Sequence, residues 1–257
     1  MSERFELICE IEPATRPELM QVRHQIGTLS RVASAFLIPD NHIGRATVSS
    51  IAVAHEVALM GGRAIACLNA RDRNVLGFRR DLLTASAYGV DELLCVYGDR
   101  PESGSRSDDL NVRKMIAEVR AFNERNPAGA PFRVGVSSGL GPLPTWKHDA
   151  DLLFAQVSFS VDRLVEWRAS VDFAGPVYAG VMVVASASMG RKLSRDIPEL
   201  AVPEPILSAL DRDPDAGVDV AVELVAEIEA AGCFDGVHLI PVSRYREVAA
   251  RLEQRSG

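Results

Sequence analysis

The chain is poor in the residues that build redox, metal and membrane proteins. Its four cysteines are Cys9, Cys67, Cys95 and Cys233. None belongs to a C-x-x-C pair, so the spacing of a zinc or dithiol motif is missing. Three lie in apolar, strand-like runs and read as buried thiols of a reducing cytosol. Lysine is scarce too: apart from Lys114, Lys147 and Lys192, 25 of the 28 basic side chains are arginine. That bias reads first as a GC-rich genome and only second as function. The histidines are scattered. His24 and His55 fall on predicted helices, while His42 and His148 fall in loops, and no ligand cluster forms, so no metal is expected. No apolar run reaches the roughly 18 residues of a membrane span. The N-terminus lacks the basic-then-apolar pattern of a signal segment. A cytoplasmic protein without a membrane partner is expected. The net charge of −7 argues against a nucleic-acid partner, which needs a basic footprint. Gly135, Gly139 and Gly141 are not spaced as a nucleotide-binding G-x-G-x-x-G, and no serine sits in a nucleophile-elbow context.

What is present is a repeating alternation over 257 residues, of which 47% are apolar and 25% charged. Short apolar runs at 5–11, 35–38, 64–68, 92–96, 132–137, 152–157, 177–184 and 236–240 read as strands. Amphipathic segments at 18–29, 48–60, 75–88, 110–123, 162–170 and 243–254 read as helices. Gly61-Gly62 and Gly89 close two of these, as glycine does just past a helix end. The fifth run is followed by a Gly- and Pro-rich stretch with little room for a helix. The seventh is followed by a long helical crossover at 189–196, 204–210 and 214–231. Short strands apolar on both faces imply a parallel sheet with helices outside. Eight such units predict a single (β/α)₈ TIM barrel over residues 1–257. The runner-up is a doubly wound open sheet, but the turn after its first strand would be a glycine-rich cradle. Here it is Glu12-Pro13-Ala14-Thr15.

Active sites of such barrels lie at the C-terminal ends of the strands, which reduces the chain to a few candidates. Glu10 and Glu12 end the first strand, two apart and so on one face. A carboxyl in a desolvated mouth becomes a usable proton donor. Glu10 is the catalytic candidate, and Glu12 is either a second site carboxylate or a solvated loop residue. Asp99 follows Gly98 after the fourth strand. There a glycine would let a planar ligand approach, and a carboxylate could grip an N–C–N edge. A turn or capping Asp is the plainer alternative. Gln156 ends an otherwise apolar strand and offers both a donor and an acceptor to a heterocycle, or else is a satisfied core amide. Arg71-Asp72-Arg73-Asn74 could hold an anionic group, or could be an ion-paired loop with Asn74 capping the next helix.

These strand-end residues together resemble the methylenetetrahydrofolate reductase family. Glu10-Ile11-Glu12-Pro13-Ala14 is similar to its first strand, where a glutamate precedes a proline-containing turn. Val96-Tyr97-Gly98-Asp99-Arg100-Pro101 resembles its Gly-Asp-x-Pro segment after strand four. Phe154-Ala155-Gln156-Val157-Ser158-Phe159 is similar to its glutamine-bearing strand six, and residues 70–81 resemble the third βα unit of divergent bacterial members. The likeness runs from about Phe5 to Ile240. It implies an oxidoreductase of one-carbon metabolism that turns 5,10-methylenetetrahydrofolate into the 5-methyl form. Glu10 would be the general acid, with Asp99 and Gln156, joined by Glu12, as substrate contacts.

The departures bear on the hydride donor. Flavin-dependent members carry His-Leu-Thr-Cys on strand three, where this chain has Cys67-Leu68-Asn69-Ala70. After strand five they carry a Tyr-Pro-Glu segment and a full helix, where this chain has the short 137–147 stretch. The chain is more similar to the actinobacterial branch without tightly bound flavin. That branch implies a reduced deazaflavin coenzyme as donor, with FAD or NADH as alternatives. Asn41, Asn69, Arg71, Arg73 and Ser137 are the candidate cofactor contacts. A folate-binding or methyltransferase barrel without redox chemistry is the reading from another class. A homo-oligomer is left open.

Overall fold

The computed structural model describes residues 5–127 and 129–256. Eight parallel strands close into a barrel in strict sequence order, β1 to β8, with β8 paired back to β1. The strands are β1 (Glu6–Glu10), β2 (Ala35–Ile38), β3 (Ala64–Asn69), β4 (Glu92–Val96), β5 (Arg133–Ser138), β6 (Leu152–Val157), β7 (Val177–Met182) and β8 (Gly236–Ile240). The helices are α1 (Met20–Leu29), α2 (Ser50–Leu59), α3 (Val75–Ala87), α4 (Val112–Arg125), α5 (Val161–Ser170), α6 (Ala187–Asp196), α7 (Glu204–Leu210), α8 (Ala216–Ala231) and α9 (Tyr245–Ser256). After β5 the chain makes only a single 3₁₀ turn, Thr145–Asp149, as its glycines and prolines predict.

Strand periodicity divides the core in two. Ile8, Ala35, Leu37, Ile65, Cys67, Leu94, Leu152, Phe154 and Tyr178 fill the barrel interior. Their strand neighbours, among them Cys9, Phe36, Ala66, Leu93, Val134, Leu153, Ala179 and Val237, face the helices in a second, larger cluster. Both faces are dry, which is why the strands read as unbroken apolar runs. Burial pushes the Cys9 and Cys95 thiols up to about 12 and holds Cys67 well above its ordinary value too. Buried, inert thiols follow for these three, while Cys233 is half-buried.

Several helix starts are fixed by side-chain caps. Asn74, Asn111, Ser160 and Ser186 each accept the backbone N–H three residues on. No helix among the described residues is long and apolar enough to cross a membrane.

The N-terminal end of the barrel is closed by a polar plug. Arg63 donates to Glu6 at 2.7 Å and to Glu92 at 3.2 Å, and Arg133 donates to Glu92 at 2.8 Å. The Tyr178 hydroxyl donates to the other Glu6 oxygen at 2.6 Å. Above it, Phe154 stacks on Tyr178 with centroids 5.1 Å apart and meets the edge of His238 at 6.0 Å. An aromatic column therefore joins the plug to the opposite, open end.

Candidate active site

The open end is where β1, β6 and β8 bring polar side chains to the inner face. Glu10 is the last residue of β1, and its side chain is 13% exposed. Diagonally across the β1–β8 ladder, opposite Ile8, is His238, whose Nε2 lies 3.3 Å from Glu10 Oε2. No other donor bonds either Glu10 oxygen among the described residues. Sequence reasoning did not single out His238. The available signal was period two: 236, 238 and 240 share one face of an apolar strand, and His238 is the only polar side chain among them.

Gln156 reaches the same mouth through an irregularity. The β6–β7 register slips between Phe154 and Val157. Such a bulge re-aims a side chain, and Gln156 stands exposed at the strand end. The Gln156 Oε1 accepts the backbone N–H of Val157 at 2.9 Å, which leaves its amide N–H₂ to the mouth. Gly180 on β7 makes room for the bulge, since a Cβ there would stand 2.7 Å from both Ala155 O and Val157 N.

Glu12 lies beyond β1 and is exposed. Its backbone N–H and C=O both bond the Gln25 side chain at 3.0 Å, so its carboxylate is the solvated loop group. It still joins Glu10, His42, Val242 and Ser243 around a recess between the β1, β2 and β8 loops. Asn41, Ile43, Val242 and Ser243, on the two loops beside it, have φ between 42° and 60°. For β-branched Ile43 and Val242 this is a strained conformation of the kind that gathers at ligand sites.

Asp99 is exposed after β4, and one carboxylate oxygen takes the Ile43 N–H at 3.2 Å. Gly98 does a different job from the one its position predicts. It has φ +92°, and a Cβ there would stand 3.0 Å from Asn69 Cβ and 3.2 Å from Arg71 Cβ. The close approach it permits here is that of Asn69 and Arg71.

Four of the remaining candidates, Asn41, Asn69, Arg71 and Arg73, share one network beneath the rim. Arg71 is 1% exposed and bonded through all three nitrogens, to Asp72 at 2.6 Å, to Asp99 O and to Asn41 O. Arg73 bridges Asp40 and Asp81. Burial alone would lower the Arg73 pKa, but the Asp40 and Asp81 carboxylates outweigh it and hold the group above its ordinary range. Asn69 is fully buried and donates to Asp40 at 2.6 Å, while its Oδ1 takes the Asp72 N–H at 2.9 Å. Asn41 Nδ2 donates to Asp72 at 2.8 Å. The hydrogen bond from Arg71, helped by those of Asn41 and Asn69, holds Asp72 down at about 2. This is the ion-paired-loop alternative for 71–74, and Asn74 caps α3 as that alternative requires. Of the five expected cofactor contacts only Ser137 is exposed. Its carbonyl accepts from Lys147 Nζ at 2.8 Å, and burial lowers the Lys147 pKa. No cluster of three or more His, Cys, Asp or Glu among the described residues could hold a metal ion.

No family model matches the chain, and no curated protein matches its sequence. Among solved structures, an uncharacterized Clostridium thermocellum protein that binds two copies of 5-methyl-5,6,7,8-tetrahydrofolic acid superposes with a TM-score of 0.67 at 13% identity, over 99% of this chain and 96% of that one. The tryptophan synthase α-subunit of Pyrococcus furiosus superposes at 0.52 with 13% identity, over 99% and 97%. A Rhizomucor miehei family 17 β-1,3-glucanosyltransferase superposes at 0.55 with 10% identity, over 93% and 87%. At such identities these likenesses show the (β/α)₈ fold and nothing finer.

Proposed function

We propose that this barrel binds a reduced folate, or a closely related pterin carrier, in its C-terminal mouth and reduces the carried methylene group to methyl. The observation that carries the reading is Glu10, a shielded inward carboxyl at the catalytic end of the barrel with only a histidine beside it. A structural carboxylate of equal burial would be expected to have an arginine or several N–H donors. The order of the strand-end motifs supports a folate, as does the C. thermocellum barrel, which binds a methylated one.

In this reading Gln156 offers its free amide N–H₂ to the pterin edge, and Asp99 offers the carboxylate oxygen not taken by Ile43. Glu10 gives its proton to a bridge nitrogen of the methylene folate. The C–N bond opens, leaving an iminium carbon that a hydride converts to methyl. Glu10 is left as carboxylate and must be reprotonated before the next turnover. The proposed donor is a reduced deazaflavin coenzyme, which supplies that hydride when bound; FAD and NADH are the alternatives. The polar groups of Asn69, Arg71 and Arg73 do not fit a cofactor-holding role in this arrangement, because the loop network occupies them. No step is assigned to those residues.

The test is a hydride-donor panel. Purified protein and methylenetetrahydrofolate are mixed in turn with reduced deazaflavin, NADH, NADPH and reduced FAD, and donor oxidation is followed by absorbance. Turnover with deazaflavin alone is expected. Turnover with another donor keeps the reductase and replaces the coenzyme. Silence with all four, together with tight binding of 5-methyltetrahydrofolate, would leave the second reading, a folate-binding or methyl-transfer barrel that uses Asp99 and Gln156 without Glu10.

A further inference from the structure

We propose that His238 is the positioning residue of Glu10: its Nε2, 3.3 Å from Oε2, leaves the protonated Oε1 to the mouth and closes into a hydrogen bond that stabilises the carboxylate left after proton transfer. This rests on the reductase reading for its purpose, but the pairing itself stands on geometry.

A carboxyl that must lose a proton in a water-poor place needs a dipole ready for the charge that appears. Glu10 has one such neighbour. His238 Nε2 is 3.3 Å away, and it is buried without a hydrogen-bond partner. A buried ring nitrogen left in that state costs stability unless it serves something else. The ring is held from the far side by the edge contact with Phe154, at an interplanar angle of 88°, and Phe154 in turn is stacked on Tyr178. In the barrel ladder His238 lies between Ile8 and Gly180, neither of which carries charge. Glu10 is the one charged group recorded against it among the described residues. A histidine fixed by packing, with one unpartnered nitrogen 3.3 Å from one carboxyl oxygen, favours one orientation of that carboxyl and one oxygen to keep the proton. The bond strengthens as Glu10 ionises, so its effect falls on the chemical step and not on binding. In the transfer itself the proton leaves Oε1 for the substrate nitrogen. Nothing is oxidised in that step, and Nε2–H stays on the imidazole throughout.

Two measurements decide the matter. The first needs no turnover: the imidazole signals of His238 are followed by NMR at one fixed pH, assigned by their loss in His238→Gln. Glu10→Gln replaces the carboxyl 3.3 Å from Nε2 by an amide, so the His238 ring signals should move. Unchanged signals overturn the pairing. The second is kinetic. His238→Phe should lower kcat by about 10- to 100-fold with KM nearly unchanged, and His238→Gln, which keeps an N–H donor, should recover part of the loss. The double variant Glu10→Gln/His238→Phe should be no slower than Glu10→Gln alone; multiplied losses would mean that His238 does not act through Glu10. If His238→Phe does not fold, the NMR comparison and the glutamine variant still decide. If Glu10→Gln turns over at the wild-type rate, the reductase mechanism fails, and the NMR comparison still reports whether the pair exists.

Discussion

Glu6 and Glu10 begin and end the same strand, both point into the barrel, and they have opposite surroundings. Glu6 is saturated: Arg63 takes one oxygen at 2.7 Å and Tyr178 the other at 2.6 Å. Glu10 has a single histidine at 3.3 Å. The plug around Glu6 compensates every charge it buries. The mouth around Glu10 leaves a carboxyl, an amide and an imidazole under-bonded. In a barrel the two ends divide the work, with fold stability at the N-terminal end and chemistry at the other. Along the five residues of β1 that division is visible in hydrogen bonds alone.

The comparison breaks most easily at Glu10. Glu10→Gln should cut reductase turnover by about 100- to 10,000-fold, since an amide cannot donate the proton, and should leave the melting temperature near wild type. Glu6→Gln should do the reverse, lowering the melting temperature while substrate turnover survives at permissive temperature. Parallel kinetic and thermal-melt measurements on both variants test the contrast. Equal behaviour of the two would remove the basis for calling one end structural and the other functional.

Arg63 sharpens the structural side. Its removal leaves Glu6 with only Tyr178 and Glu92 with only Arg133. Because the Arg63 side chain is 31% exposed, the loss is smaller than for a fully buried pair. About 2–3 kcal/mol is expected for Arg63→Ala, read by denaturant unfolding. A loss under about 0.5 kcal/mol would show the plug to be ornamental.

On the functional side, Gly180→Ala should be worse than Gln156→Ala. The alanine Cβ would press on the β6 backbone at the bulge, 2.7 Å from Ala155 O and Val157 N, so both stability and folate affinity should fall. Gln156→Ala removes an exposed side chain. It should raise the dissociation constant for methyltetrahydrofolate by about tenfold, the worth of one good hydrogen bond, with no change in melting temperature. Calorimetric titration of both variants, with a melt on each, separates the two outcomes.

How much of this was legible in the sequence depends on what local pattern carries. β2, β4, β6 and β8 were predicted with their observed limits, because a strand buried on both faces is a bare apolar run bounded by polar residues. The missing helix after β5 followed from its glycines and prolines. Glu10 and Gln156 were legible as polar residues closing apolar strands. His238 was not singled out because it lies mid-strand, where only the shared face of 236, 238 and 240 marks it. The bulge behind Gln156 and the left-handed φ of Ile43 and Val242 left no local trace, since neither residue type favours such backbone. Arg71 and Arg73 showed the limit most clearly. Their pattern suited an anion site or an ion-paired loop equally, and the choice rested on Asp40, Asn41 and Asp99, some 30 residues away in sequence.

That network makes the smallest prediction, and the one that separates loop integrity from catalysis. Asp72 is held at about 2, first by the hydrogen bond from Arg71 and then by Asn41 and Asn69. Its unfolded value is about 3.9. A carboxyl with a lowered folded pKa contributes stability that is fully present above the unfolded value and disappears as pH falls through the folded one. The Asp72 contribution should therefore be constant from neutrality down to about pH 4 and fade between about pH 4 and pH 2. Wild type minus Asp72→Asn, followed by thermal melts across that range, should converge at the acid end. The Asp72→Asn loss should be modest at neutral pH, because the Asp72 side chain is 28% exposed. A difference that grows toward acid would have the wrong sign for an ionised Asp72 and would place the origin of the stability elsewhere in the network. Donor specificity should not change along with it, because the proposed proton donor Glu10 and the proposed contact Gln156 lie on β1 and β6, and Asp72 makes no direct contact with either.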